Sequence, residues 1–274
     1  MIVTIENSYV AKSDIEICGM NVITGQNNVG KSTVCRLIHQ SLREANPSFN
    51  NVFLIDSTSD IMWYLPKLLH TPHHQLIDEV LPEYTCGDLY DLLKMTLPSS
   101  YCGLSDSEEK IIDEITGIID GKMYYDHQLN GFIFERSNGT KINAINASSG
   151  TKIFGIIQML IVAYSLFPSH LMYREKTVLI LDECDVYLSP EWQVKFAKIL
   201  TQLAFAGVSV LVSSHSVYTV EALKKYSEKH GQENVTRFYL IKKENNDTFV
   251  EDVTDDLNPI FKMYAMPMQR MAFM

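Results

Sequence analysis

The sequence predicts an α/β fold in which a mainly parallel β-sheet is covered by helices on both faces. Three observations predict it. Apolar, strand-like runs alternate with helical patterns in the second half of the chain, a glycine-rich loop separates a strand from a helix near residue 25, and another apolar run ends in two carboxylates. Apolar strands that alternate with helices are typical of parallel sheets buried on both faces.

The composition is that of an ordinary globular protein, with 46% hydrophobic and 20% charged residues among 274. The formal net charge of −10 argues against a broad nucleic-acid-binding face, although a local basic groove stays possible. The five cysteines are odd in number and lack C-x-x-C spacing, which favours a reducing compartment without structural zinc.

No membrane or export signal is evident in the sequence. The N-terminus lacks the basic-then-apolar layout of a signal peptide, and the most apolar run, 153–167, is shorter than a membrane span. We therefore expect a soluble, cytoplasmic protein with no membrane partner.

The chain is predicted to be a single domain, 1–274, with a helical insertion at about 56–122. In the insertion, short helical patterns are broken by prolines, and Ser105-x-x-Glu108 forms a capping box before an apolar helix face. Asn-Gly turns at 130–131 and 138–139 predict an antiparallel β meander after it. The other predicted elements are strands over 2–10, 15–23, 52–55, 178–181 and 208–212, helices over 31–44, 151–166, 189–207 and 217–229, a hairpin across 245–246 and a Met-rich terminal helix.

The glycine-rich loop predicts a nucleotide site. Its residues are Gly25, Gln26, Asn27, Asn28, Val29, Gly30, Lys31, Ser32 and Thr33. In the pattern G-x-x-x-x-G-K-S, backbone N–H groups surround phosphates, the lysine faces the β- and γ-phosphates, and the serine hydroxyl ligates Mg²⁺. A glycine turn that ends in Lys-Ser by chance is the alternative, but the strand–loop–helix context favours ATP and Mg²⁺.

Two carboxylates follow the apolar run 178–181. Asp182 is placed to hold Mg²⁺ together with Ser32, and Glu183 is placed to orient and deprotonate an attacking water. The alternative is a solvated acidic strand end, which the presence of the phosphate loop disfavours.

His215 ends the next apolar run, where it is predicted to sense the γ-phosphate and assist catalysis. A purely structural histidine is the alternative. A second group of histidines, His70, His73 and His74, is interpreted as a solvated loop, with metal binding as the less favoured alternative.

A short polar segment precedes the apolar helix 151–166. It consists of Ser148, Ser149, Gly150 and Thr151. Alone it indicates only a helix N-cap, but a helix N-terminus with serine and glycine is also an anion site. Its place between the phosphate loop and the acidic pair favours a second contact to the nucleotide.

With these four segments in this order, the sequence resembles ABC-type P-loop ATPases. Ala147–Thr151 stands in the place of their LSGGQ signature, and the run from Asp182 to Trp192 is similar to the D-E-P-E-x-H-L-H-P run of the RecF-like, SMC-like and OLD-family members. Cys184 replaces the proline, and Tyr187 and Ser189 replace the histidines of that run. Within the class, the chain resembles the short ATP-binding subunits of bacterial anti-phage defence systems of the Septu type.

The resemblance implies an ATPase that works as an ATP-dependent head-to-tail homodimer or higher oligomer. Each site would take its phosphate loop, Asp182, Glu183 and His215 from one subunit and Ser148–Thr151 from the other. It also implies the Q-loop glutamine of the family, for which Gln75 and Gln128 are both candidates. The implied setting is prokaryotic phage defence or DNA maintenance.

Two other functions stay open at this point: the nucleotide-binding subunit of a membrane transporter, and a slow nucleotide-dependent interaction switch. We expect a separate effector protein as the partner, contacted through the insertion or the Met-rich end of the chain. Those methionines are also explained by an amphipathic helix packed on its own core.

Overall fold

The computed structural model describes most of the chain, which divides into two compact units. The first unit is Met1–Ser57 with Met172–Met274, and the second is Thr58–Leu171. The prediction of a single domain with an insertion at 56–122 stays a prediction; the second unit starts where that insertion was expected and continues through the meander. The described residues are 1–45, 51–56, 89, 92–101, 104–165, 177–245 and 247–272.

The first unit is an α/β layer structure. Its elements, in chain order, are β1 (Ile2–Ile5), β2 (Ser13–Glu16), β3 (Met20–Gly25), α1 (Lys31–Ala45), β4 (Asn51–Asp56), β8 (Thr177–Asp182), α4 (Pro190–Phe205), β9 (Ser209–Ser214), α5 (Val217–Lys229), β10 (Thr236–Glu244), β11 (Asp247–Asp252) and α6 (Asn258–Ala272). The strands β3, β8 and β9 are buried almost throughout, as expected for central strands covered on both faces.

Six described strands form one sheet, in the order β4-β8-β9-β3-β10-β11. All neighbours are parallel except β10 and β11, which form an antiparallel hairpin. The predicted mainly parallel sheet is therefore confirmed. β9 lies between β3, which leads into the glycine loop, and β8, which ends in the acidic pair, so the carboxyl ends of all three strands meet at one edge.

Side-chain caps start two of the helices in this unit. Ser189 accepts a hydrogen bond from the backbone N–H of Trp192, and Pro190 occupies the first turn of α4. Ser216 accepts from the N–H groups of Tyr218 and Thr219 at the start of α5. Both caps satisfy N–H groups that have no partner within the helix. They fix the starts of α4, which follows the acidic pair at the end of β8, and of α5, which begins three residues after β9 ends.

The N-terminal strands are shorter than predicted. The expected strand 2–10 ends at Ile5, because the Asn7 side chain accepts hydrogen bonds from the N–H groups of Tyr9 and Val10 and turns the chain. The expected strand 15–23 is divided into β2 and β3. The Asn21 amide bonds the backbone of Cys18 in that break, which stabilises the turn between the two strands.

The second unit contains a helix, an antiparallel meander and an apolar helix. Its main elements are α2 (Asp106–Ile119), β5 (Gly121–Asp126), β6 (Gly131–Arg136), β7 (Lys141–Asn143) and α3 (Ser149–Ser165). The strand order is β5-β6-β7, so the predicted meander is confirmed. The predicted capping box is also present: the Glu108 carboxylate accepts from Ser105 N at 2.8 Å and from Ser105 Oγ at 2.6 Å.

One buried glutamine joins the elements of the second unit. Gln158 on α3 accepts from the backbone N–H of Met123 on β5 at 3.0 Å and donates to Thr116 Oγ1 on α2 at 2.9 Å. A buried amide is stable only when its donors and acceptors are paired. These bonds therefore fix α3 against both the meander and α2.

Candidate functional site

The site lies at the carboxyl edge of the central sheet of the first unit. Asp182 is in register with Ser213, and Thr24 is in register with Ser214. The residues that follow these register pairs are the glycine loop, Glu183 and His215. The sheet thus brings together three segments that are far apart in sequence.

Two residues of the glycine loop adopt a left-handed backbone conformation, and both of its glycines lie against neighbouring atoms. Asn28 has φ of 62° and Gly30 has φ of 99°, both in the left-handed region. A Cβ at Gly30 would lie 2.7 Å from Thr248 Oγ1, and one at Gly25 would lie 2.6 Å from the carbonyl oxygen of Ile241. These close approaches require glycine at both positions, which are the two glycines of the motif.

Thr248, on β11, supports the loop from outside the motif. Its hydroxyl donates to the carbonyl oxygen of Val29 at 2.8 Å, and its backbone N–H donates to the carbonyl of Tyr9. The loop residues Gln26, Asn27 and Asn28 are exposed, whereas Val29 is buried. The loop is therefore anchored on its inner side and open to a ligand on its outer side.

Lys31 begins α1 and is almost fully buried, with 3% of its surface exposed. Its Nζ donates to the carbonyl oxygens of Gln26 at 3.0 Å and Gly25 at 3.3 Å, and lies 3.6 Å from Glu183 Oε1. Burial lowers the pKa of Lys31, and the charge of Glu183 opposes this shift. The ammonium of Lys31 thus contacts the carboxylate of Glu183, which the sequence predicts to be the catalytic base.

Asp182 ends β8 and is also buried, with 2% exposed. Its Oδ1 accepts a short hydrogen bond from Ser213 Oγ. Burial raises the pKa of Asp182, while hydrogen bonds from Ser213 and Ser32 lower it. A carboxylate and a hydroxyl placed side by side are hard oxygen donors of the kind that Mg²⁺ uses, so Asp182 and Ser32 fit a magnesium site.

Glu183 has φ of 53°, which is uncommon for a residue with a side chain. Its backbone N–H donates to Ser213 Oγ at 3.0 Å and to the Ser213 carbonyl at 3.2 Å. Its Oε1 lies 2.7 Å from His215 Nε2. A strained backbone conformation persists only where surrounding bonds hold it, and such conformations are frequent at functional sites.

Asp185 joins the acidic loop to the loop that carries His215. With 1% exposed, it accepts hydrogen bonds at Oδ2 from the hydroxyls of Ser214 and Thr219, and Gln193 Nε2 donates to its carbonyl oxygen at 3.1 Å. Burial raises the pKa of Asp185, and these hydroxyl bonds oppose the shift. This network fixes Glu183 relative to His215.

The segment Ser148–Thr151 lies in the second unit, at the start of α3. Ser148 Oγ accepts from the Thr151 N–H at 3.2 Å and lies 2.8 Å from Thr151 Oγ1. Ser148 and Ser149 are exposed, and Gly150 and Thr151 are buried. This is the N-cap that the sequence predicted; its contact with a nucleotide stays a prediction.

The remaining candidates do not join the site as described. Gln128 is exposed in the turn between β5 and β6, where its N–H donates to Asp126 Oδ1 at 2.9 Å. Gln75 and the histidines His70, His73 and His74 lie outside the described residues. Across the described part of the chain, the helices are all too short or too polar to cross a membrane.

Sequence reasoning assigned no role to Ser213, Asp185, Thr248 or Tyr264, which all bond to site segments. Asp185 stands inside the run from Asp182 to Trp192, and Ser213 lies between the strand 208–212 and His215, so their positions could have suggested a role. Thr248 and Tyr264 are more than 200 residues from the glycine loop, and neither has a sequence signal that connects it to the loop.

A buried strand that leads into G-x-x-x-x-G-K-S, together with a second one that ends in Asp-Glu, defines a P-loop ATPase-type nucleotide-binding protein. This chain belongs to the family described as "AAA domain, putative AbiEii toxin, Type IV TA system", whose model matches residues 71–221, more than half of its length. The match includes the signature-like segment, the acidic pair and His215.

Solved structures of low sequence identity also match. The SMC head domain from Thermotoga maritima is 12% identical, with 92% of this chain and 98% of that one covered and a TM-score of 0.47. An Smc head domain with an extended coiled coil from Pyrococcus furiosus, bound to the C-terminal domain of ScpA, is 10% identical (97% and 98% covered, TM-score 0.49). An ATP-binding cassette of an ABC transporter in the ADP conformation is 13% identical (96% and 98%, 0.48). None of the curated proteins compared matches this chain.

Proposed function

We propose that this chain binds Mg-ATP at the glycine loop and hydrolyses it as an ABC-type ATPase, with Glu183 as the general base. The observation that carries the proposal is the environment of Glu183. Its Oε1 contacts both Lys31 Nζ and His215 Nε2, and the adjacent Asp182 is buried beside Ser32.

The chemistry follows from these positions. The N–H groups of the glycine loop and the Lys31 ammonium would bind the phosphates. Ser32 and Asp182 would hold Mg²⁺, which when bound neutralises charge that develops on the phosphates. Glu183 would orient a water and accept its proton, and His215, bonded to the same carboxylate, would report the γ-phosphate to Glu183.

The segment Ser148–Thr151 completes the proposal. Its exposed serines at a helix N-terminus suit a phosphate. We assign this segment to the γ-phosphate bound by a second copy, so that two subunits face each other head to tail across two ATP molecules. Hydrolysis would remove the group that both subunits share and open the dimer.

The dimer would drive a separate effector protein in the cytoplasm of a prokaryote, in phage defence or DNA maintenance. The description of the matched family names a toxin of a Type IV TA system, which supports such a setting over transport. The exposed Met266 and Met271 on α6 are candidate contacts for the effector, since methionine suits adaptable surfaces.

Phosphate release tests the catalytic part of the proposal. Glu183→Gln keeps the shape of the side chain but cannot accept the proton, so hydrolysis should fall by about 10²–10⁴-fold while Mg-ATP still binds. Glu191→Gln, an exposed change in the first turn of α4, is the matched control and should keep full activity. Turnover by Glu183→Gln at the rate of the unaltered protein would rule out Glu183 as the base.

A further inference from the structure

The terminal helix α6 contacts the nucleotide edge of the sheet through one hydroxyl. Tyr264 Oη lies 2.6 Å from Thr24 Oγ1 and 3.5 Å from the carbonyl oxygen of Ser214. Thr24 is the residue directly before Gly25, and Ser214 is the residue directly before His215. A side chain from the end of the chain therefore touches the last residue before each of two site segments.

The two residues that Tyr264 touches are partners across the sheet. Thr24 and Ser214 form the last register pair of the parallel strands β3 and β9, and both are fully buried. Beyond this pair the chains diverge, one into the glycine loop and the other to His215. The tyrosine hydroxyl thus bridges the two strands at the point where the ladder ends.

The chemistry of the hydroxyl supports this bridge. Burial raises the pKa of Tyr264 to about 12, so the hydroxyl keeps its proton at neutral pH. When Thr24 donates to Tyr264, the tyrosine proton is available to the Ser214 carbonyl; at 3.5 Å that second bond is weak. The pair at 2.6 Å is the stronger contact.

The helix is anchored so that Tyr264 is held in place. Ile260, one turn before Tyr264 and on the same helix face, is fully buried, and Leu257 before it is nearly so. A hydroxyl on an anchored helix loses little freedom when it forms its bond, so its position can constrain the strand ends.

We propose that Tyr264 is a positioning residue for ATP hydrolysis, which sets the spacing between the glycine loop and His215 by bonding Thr24 and Ser214. This proposal rests on the proposed ATPase function. On this proposal, loss of the Tyr264 hydroxyl impairs hydrolysis more than nucleotide binding. Binding uses the loop N–H groups and Lys31, which Tyr264 does not contact. Hydrolysis also needs His215 to be aligned with Glu183.

A double-mutant cycle tests the proposal. Tyr264→Phe removes only the hydroxyl, and Thr24→Val removes its partner while keeping a β-branched side chain suited to a buried strand. Each change should lower the single-turnover rate of ATP hydrolysis about five- to tenfold, since one hydrogen bond is lost, and leave the dissociation constant of Mg-ATP within about twofold. The double variant should be no slower than either single variant, because all three lose the same bond.

Tyr239→Phe is the matched control. The Tyr239 hydroxyl lies on β10, next to β3, and bonds the backbone of Glu16 at 2.9 and 3.0 Å, on a segment outside the site. Chemical denaturation should show a lower stability for Tyr239→Phe than for the unaltered protein, while its rate of ATP hydrolysis should not change. Equal slowing by Tyr239→Phe and Tyr264→Phe would show a merely structural role and overturn the proposal.

The remaining outcomes separate the two proposals. If the unaltered protein hydrolyses ATP and both Tyr264→Phe and Thr24→Val keep that rate, the positioning role is wrong and the ATPase function stands. Additive losses in the double variant would also contradict the bridge. If the unaltered protein releases no phosphate at all, the ATPase function is wrong and the role of Tyr264 is wrong with it.

Discussion

Lys31 supplies the positive charge of the site, and its removal should affect binding before catalysis. Lys31→Ala keeps the N–H groups of the loop but removes the ammonium that is proposed to face the phosphates. We expect the dissociation constant of Mg-ATP to rise about 10- to 100-fold, the loss of a bond to a charged group. Calorimetric titration measures this, with the exposed Lys12→Ala as control. Unchanged affinity in Lys31→Ala would contradict the assignment of the loop.

The raised pKa of Asp185 predicts that the stability of the protein depends on pH. Because burial raises its pKa in the folded protein, the folded state binds more protons than the unfolded state between the ordinary aspartate pKa of about 4 and the raised pKa. The contribution of Asp185 to stability therefore falls as pH rises through the raised pKa. Asp185→Asn keeps an acceptor for the hydroxyls of Ser214 and Thr219 and does not titrate.

The stability of Asp185→Asn relative to the unaltered protein should thus increase between pH 4 and pH 8. Urea denaturation at several pH values measures this difference, and the exposed Asp255→Asn provides the comparison. A relative stability that decreases with pH would show that the folded protein favours the charged carboxylate, contrary to the burial argument.

The sequence predicted four residues that the structure brings to one edge of the sheet, but not the side chains that support them. Lys31, Asp182, Glu183 and His215 stand in recognisable motifs. The structure places Glu183, the neighbour of Asp182 in the chain, in contact with both Lys31 and His215. Thr248 and Tyr264 reach the site through strand pairing and helix packing, which depend on contacts between distant segments. No spacing within the sequence encodes those contacts directly.

At the scale of elements, the hairpin of β10 and β11 limits the shape of the glycine loop. Gly30→Ala should be destabilising for two reasons: φ of 99° costs about 1–2 kcal/mol for a residue with a side chain, and its Cβ would meet Thr248 Oγ1 at 2.7 Å. Displacing Thr248 also breaks its bond to the Val29 carbonyl, worth about 1 kcal/mol.

Gly231→Ala separates these two reasons. Gly231 also has a positive φ, 64°, but a Cβ there would meet no atom within 4 Å. Chemical denaturation should show that Gly30→Ala loses about 1 kcal/mol more than Gly231→Ala. Equal losses would mean that Thr248 moves aside without cost and that the hairpin does not support the loop.

The elements themselves were predicted best where both faces are buried. The strands 178–181 and 208–212 and the helix 217–229 are confirmed to within two residues, because continuous apolar runs and serine caps specify them. The strands 2–10 and 15–23 were predicted too long. The side chains of Asn7 and Asn21 form hydrogen bonds to nearby backbone groups, and these bonds interrupt the strands. A hydrophobic pattern does not predict such side-chain bonds.

At the scale of the whole molecule, each compact unit carries one part of the proposed mechanism. The first unit holds the glycine loop, Asp182, Glu183 and His215, and the second holds Ser148–Thr151. The proposed head-to-tail dimer assigns these two parts of each site to different subunits. An ATP-dependent change in mass is therefore the property that most clearly distinguishes this mechanism from nucleotide binding by a monomer.

Light scattering of Glu183→Gln, with and without Mg-ATP, tests this central claim most directly. Without hydrolysis, each intact γ-phosphate should keep bridging the loop of one subunit and the Ser148–Thr151 segment of the other, so ATP should double the mass. Ser149→Arg, which places a bulky side chain at the exposed helix start, should abolish the doubling in the Glu183→Gln background. A mass that ATP leaves unchanged, or a doubling that survives Ser149→Arg, would contradict the head-to-tail mechanism.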